Sequence, residues 1–153
     1  MPLSTNPEEG FMALKVSKAE VWAVTIDDRP GGAAQKLEAL AKAGANLEML
    51  LARRTAENPG HGVMFVTPLK GKKAVEAAQQ SGMGKPENIY SVRVEGGDKP
   101  GLGSKIARAL ADAGVNFRGM SAIAIGKKFV SFIALDSAED QGRAIGALKK
   151  LKT

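Results

Sequence analysis

The 153-residue chain repeats itself. Asp28-Arg29-Pro30-Gly31 returns as Asp98-Lys99-Pro100-Gly101, an offset of 70 residues (28 to 98). The same offset carries Ala39-Leu40-Ala41 onto Ala109-Leu110-Ala111, and Ala43-Gly44-Ala45-Asn46 onto Ala113-Gly114-Val115-Asn116. A turn motif followed without a gap by a helix-length match is hard to obtain by chance. The period is too long for a solenoid repeat and has the size of a small domain. We expect a lead-in over 1–18 with an extra strand, and two similar domains over 19–86 and 87–153.

Both copies parse in the same order. Val21 to Ile26 reads as a short apolar-rich strand ended by the Asp-Arg-Pro-Gly turn. Pro30 suits a first helical position, where a missing N–H is harmless. The helix should run to Ala43, with Gly44 as its left-handed cap. A strand through Leu47–Ala52, a loop at Asn58-Pro59-Gly60, a strand over Val63–Thr67 and a helix over Lys72–Ser81 complete the first copy. The second copy should hold a strand over Ile89–Val94, with Gly96-Gly97 opening the turn. A helix capped by Gly114 should follow, then a hairpin across Gly126-Lys127 and a last helix over Glu139–Leu151. Val63-Met64-Phe65-Val66 matches Val130-Ser131-Phe132-Ile133 at an offset of 67 (63 to 130), so the first hairpin loop is longer.

Strand, helix, strand, strand, helix, strand is a ferredoxin-like order. The expected class is α+β: two βαββαβ units, each an antiparallel sheet with its helices on one face. The strand at Ile89–Val94 should close the first sheet and open the second. The second copy then lacks a final strand, and Phe11–Val16 is a spare one to fill that place, in this chain or a partner.

Composition narrows the chemistry. Without cysteine there is no thiol nucleophile and no Cys-ligated metal. A single histidine, His61, excludes paired-His metal sites and reads as a surface loop residue. Neither a metal, a cofactor nor a catalytic constellation is expected. The net charge of +6 favours polyanions, but the basic residues are scattered and aromatics are only 5%, poor material for stacking bases. Nucleic acid is therefore not an expected partner. No apolar run approaches a membrane span, and Met1–Gly10 reads as a polar lead-in rather than a signal peptide, so a cytoplasmic location is expected.

The repeated turn carries the candidate chemistry. A strand-to-helix turn at Pro-Gly aims helix N–H groups at one point, where the dipole favours an anion. Gly31, Gly32 and Gly101 leave room for a ligand, and Asp28 and Asp98 place a carboxylate within reach of an ammonium. Asn46 and Asn116 start the neighbouring strands. That polarity fits a free α-amino acid. The same residues also serve a turn with no ligand at all.

The paired Asp-(Arg/Lys)-Pro-Gly turns, the Gly-x-Asn after each helix and the strand order resemble the ACT domain, a regulatory module of amino-acid metabolism. The resemblance runs from about Ala19 onward, as two copies. It implies a non-catalytic sensor that pairs through helices or sheet edges as a homodimer, binds an amino acid between units and acts on a metabolic enzyme. The implied ligand-binding positions are Asp28, Arg29, Pro30, Gly31, Gly32, Asn46 and Leu47. Their counterparts are Asp98, Lys99, Pro100, Gly101, Leu102, Asn116 and Phe117. In serine-sensing members the residue before the basic-Pro-Gly is Asn, with His two residues earlier. This chain has Asp28 or Asp98, preceded by Ile26 or Gly96. Serine is therefore not carried over as the ligand. The alternative is a ligand-free dimerisation or docking module.

Overall fold

The computed structural model describes residues 13–153, which form seven strands and four helices. They divide into two compact units. One is Glu20–Glu87; the other joins 13–19 to Asn88–Thr153.

In the Glu20–Glu87 unit, β2 (Trp22–Asp27), α1 (Gly32–Lys42), β3 (Met49–Arg54), β4 (His61–Thr67) and α2 (Lys72–Gln80) follow in order. The sheet is antiparallel, β2-β4-β3. Trp22, Val24, Met64 and Val66 alternate onto one face and are buried with Leu40 of α1 and Ala78 of α2. Each such large side chain removed from water contributes about 1.5–3 kcal/mol. One face is thus a core and both helices lie on it.

In the other unit, β5 (Tyr90–Gly97), α3 (Leu102–Asp112), β6 (Gly119–Ile125), β7 (Lys128–Leu135) and α4 (Ala138–Lys150) repeat the order. Here the antiparallel sheet has four strands, β1-β5-β7-β6, where β1 is Lys15–Ala19. Val92, Val94, Ile133 and Leu135 face Ile106 and Leu110 of α3 and Leu148 of α4. Ser137 caps α4 by accepting from Asp140 N at 3.0 Å, and Gly126 (φ +60°) suits the first position of the tight β6–β7 turn.

Several expectations shift. The strand after Glu87 does not serve two sheets. Both hydrogen-bonding edges of β5 are occupied, by β1 and β7, so it has no edge left for β2. Among the described residues, the outer side of β2 carries a single bridge, Ala23 with Gly84. The leading strand is Lys15–Ala19 rather than Phe11–Val16, and Phe11 lies outside the described residues. Gly96 and Gly97 are strand residues, paired with Phe129 and Lys128, not a turn. A Cβ on Gly96 would lie 2.6 Å from Leu14 Cδ2, so glycine there lets Leu14 close over the strand. Among the described residues no helix is long and apolar enough to cross a membrane.

Candidate functional site

The turn after β2 is held from three sides. Asp28 N donates to Gly60 O (3.0 Å), Arg29 N to Asp27 O (2.9 Å) and Gly32 N to Arg29 O (3.0 Å). Gly31 is left-handed at φ +89° and caps α1, so the helix starts at Gly32 and Pro30 stays in the turn instead of taking the first helical position. Gly32 has a separate role. A Cβ there would sit 2.1 Å from Asp27 O, so only glycine lets the helix start against the end of β2. No side chain caps α1 and its first turn holds no acid. Its leading N–H groups keep their pull on an anion.

An open cleft of about 430 Å³ lies beside this turn. Its walls are the end of β2 (Ile26, Asp27), the turn (Asp28, Arg29), Ala33, the end of β3 (Ala52, Arg53, Arg54) and Gly62. Asp27 and Asp28 both line it, although neighbours on a strand point apart, because the strand ends between them. Arg54 Nε donates to Asp28 Oδ2 at 2.9 Å, and Arg29 Nε to Asp27 Oδ2 at 3.3 Å. His61 is not a loop residue. It opens β4 opposite Asp27, with Nδ1 3.8 Å from Asp27 Oδ1. The cleft therefore offers both signs of charge within a few ångströms.

Of the expected residues, Asp28 and Arg29 come together here. Pro30 and Gly31 shape the turn, and Gly32 sits buried at its base. Asn46 is exposed and Leu47 packs against the core; neither lines the cleft. Arg53, Arg54 and Gly62 were not singled out from the sequence. Their signal was the pair of cations that ends the apolar run Met49–Ala52, together with the register that sets Arg54 opposite Gly62.

The second copy of the turn has the same backbone. Gly101 is left-handed (φ +84°) and caps α3, Leu102 N donates to Lys99 O (3.2 Å), and Asp98 N donates to Lys127 O (2.8 Å). Its surroundings differ. Leu102, the counterpart of Gly32, is buried in the core, with Phe117 packed against that core and Asn116 exposed. Lys99 Nζ donates to Thr153 O at 3.0 Å. Pro100 stays in the turn, ahead of the cap. A hollow of about 350 Å³ in this unit is lined by Lys15, Glu95, Gly96, Gly97, Ile125 and Lys127 among others, not by Asp98–Leu102. Glu95 is held below the usual carboxylate range, first by the hydrogen bond from Arg93, then by the charges of Lys128, Arg93 and Lys15, against an upward push from burial.

Residues 90–153 match the model of the ACT domain. The ACT stretch begins with β5 and runs to Thr153, so it covers βαββα and leaves out β1. No curated protein matches the chain. Solved structures match over most of it. A Bacteroides thetaiotaomicron protein is 20% identical with a TM-score of 0.69, covering 90% of this chain and 99% of that one. The regulatory subunit of aspartate kinase from Thermus thermophilus, in its ligand-free form, is 22% identical with a TM-score of 0.60, covering 91% and 96%. Aspartate kinase from Clostridium acetobutylicum is 16% identical with a TM-score of 0.54, covering 90% of this chain and 33% of that enzyme. At these identities the likeness is one of fold, and that fold extends beyond the ACT stretch into the first copy.

Proposed function

We propose that the chain is a tandem ACT-type regulatory protein that senses a free amino acid or a similar small amphoteric metabolite at its Asp-basic-Pro-Gly turns. The observation that carries this reading is the cleft beside the first turn. Helix N–H groups and arginines face a carboxylate group of the ligand, and Asp27 and Asp28 face its ammonium. Asn46 and Leu47, with Asn116 and Phe117, lie in the short segments between each helix and the following strand. Binding orders the turn and changes the activity of a metabolic enzyme partner. The protein works in the cytoplasm as a homodimer and needs no reactive side chain of its own. The ACT match over residues 90–153 and the aspartate kinase regulatory subunit among its fold neighbours support a regulatory role.

A thermal-shift screen of the twenty amino acids tests this. A ligand present at about a hundredfold over its Kd adds about 2.7 kcal/mol to the folded state. Asp28→Ala should abolish the shift arising at its own turn. Flat melting curves throughout would leave the second reading, a docking module without a ligand. What favours that reading is the exposed apolar pair Ile123 and Ile125 on the edge strand β6.

A further inference from the structure

We infer that the cleft of the Glu20–Glu87 unit is the only one of the two turns open to a ligand, and that it selects an amino acid whose side chain is itself an anion. This rests on the amino-acid reading above and narrows it.

The charges lining the cleft do not cancel. Asp27 pairs with Arg29 and Asp28 with Arg54. Arg53 is left over. Its Nη1 reaches the carbonyl of Arg54 at 3.4 Å, and among the described residues no carboxylate pairs with it. The helix start adds further positive potential, since α1 has no acid in its first turn. An ordinary zwitterion brings one charge of each sign and leaves that excess unmatched. A ligand with a second anionic group cancels it, and guanidinium hydrogen bonds to carboxylate or phosphate are among the strong ones.

The register of the two sheets shows why the second turn differs. In one unit Gly62 lies opposite Ile26 on one side and Arg54 on the other. At the corresponding place in the other unit Phe129 lies opposite Gly96 and Ala124. Phe129 is 7% exposed and belongs to the core. Where the first unit has a glycine wall and an arginine, the second has its own aromatic ring and a methyl group. Arg53 likewise becomes Ile123, and Asp27 becomes Gly97. Phe129 takes the place of the glycine wall, and of the five charged residues lining the first cleft only Asp28 and Arg29 keep charged counterparts, Asp98 and Lys99.

Titration calorimetry on the full chain at low ionic strength, with matched ligand pairs, decides this. The pairs are aspartate with asparagine, glutamate with glutamine, and O-phosphoserine with serine. The expected result is one ligand per chain and an anionic member bound about tenfold or more tightly than its neutral partner. The three pairs also separate a carboxylate from a phosphate as the preferred side chain. Arg53→Gln and Arg54→Gln, both on an exposed strand end, should each shrink that ratio while leaving the melting temperature near the parent's. A neutral or cationic amino acid bound more tightly than the anionic ones, or two ligands per chain, would overturn the inference and leave the amino-acid reading standing. No binding by any amino acid overturns both.

Discussion

Arg54 reaches from the end of β3 to Asp28 in the turn after β2, its Nε 2.9 Å from Asp28 Oδ2. Arg54 is mostly exposed and Asp28 partly so, and exposed pairs of this kind are worth about 0–1 kcal/mol. Arg54→Ala should therefore leave the denaturant midpoint almost unchanged. Its effect should appear in ligand-induced thermal shifts, because the change removes a wall of the cleft and frees Asp28. A loss of several kcal/mol without ligand would show that the pair holds the turn together.

Gly32 and Leu102 occupy the same place in the repeat and should fail in opposite ways. Gly32→Ala puts a methyl group 2.1 Å from Asp27 O, a backbone clash that moves α1 off β2 and costs about 1–3 kcal/mol. Leu102→Ala empties a site that is 2% exposed and costs about 2–5 kcal/mol. Urea unfolding of both variants, with ligand shifts for the first, checks this. Full stability in Gly32→Ala would contradict the close approach of helix and strand.

β1 completes the four-stranded sheet, and Leu14 and Val16 are buried in its core. Deleting residues 1–17 should lower the melting temperature or dissociate the protein. Leu14→Ala alone should cost about 2–5 kcal/mol. An unchanged melting temperature and mass after the deletion would show that the sheet does not need this strand.

Glu95 gives a sign for the pH dependence. Its carboxyl titrates below the ordinary value of 4.5 because Arg93 donates to it and Lys128 stands nearby. The unfolded chain takes up the proton first as pH falls, so stability from this group is fully present above 4.5 and is lost as pH falls through the lowered folded value. Glu95→Gln should flatten that acid limb while leaving the neutral-pH limb in shape. Chemical denaturation from pH 7 downward on both proteins measures it, and parallel curves would refute the contribution.

Ser131 is buried, and its hydroxyl has no hydrogen-bond partner among the described residues. Its counterpart by sequence offset is Met64, which fills the other core. An unsatisfied buried hydroxyl costs about 1–3 kcal/mol, so Ser131→Ala should hold or raise the melting temperature. A clear fall would mean that the hydroxyl is bonded in solution.

Much of this fold is legible in the chain because its punctuation is local. Gly44 and Gly114 mark the helix ends and are left-handed in the structure. Val63–Thr67 and Lys72–Ser81, read from the sequence as strand and helix, fall on β4 and α2. What the sequence hides is set by partners. Gly96-Gly97 looks like a turn and is a strand, because Phe129 and Lys128, distant in sequence, pair with it. The site was half visible. Asp28 and Arg29 stand in the turn motif itself, whereas Arg53, Arg54 and Gly62 reach the cleft only through the β3–β4 register. Asn46, like its counterpart Asn116, follows a helix as a ligand-binding residue could, yet it lies outside the cleft walls.

The pairing of β1 with β5 joins Ala19 to Ser91 and Lys15 to Glu95 across the whole length of the intervening unit. Synthesis proceeds from the N-terminus, and domains fold as units as they emerge. β1 leaves the ribosome well before its partner exists, while everything the Glu20–Glu87 unit needs follows at once. The guest therefore matures before its host. Until β5 arrives, Lys15–Ala19 is an unclaimed strand with both edges bare, and a second nascent chain is a competitor for it. The time taken to translate Glu20–Glu95 thus sets how long the protein stays open to being joined to the wrong copy of itself.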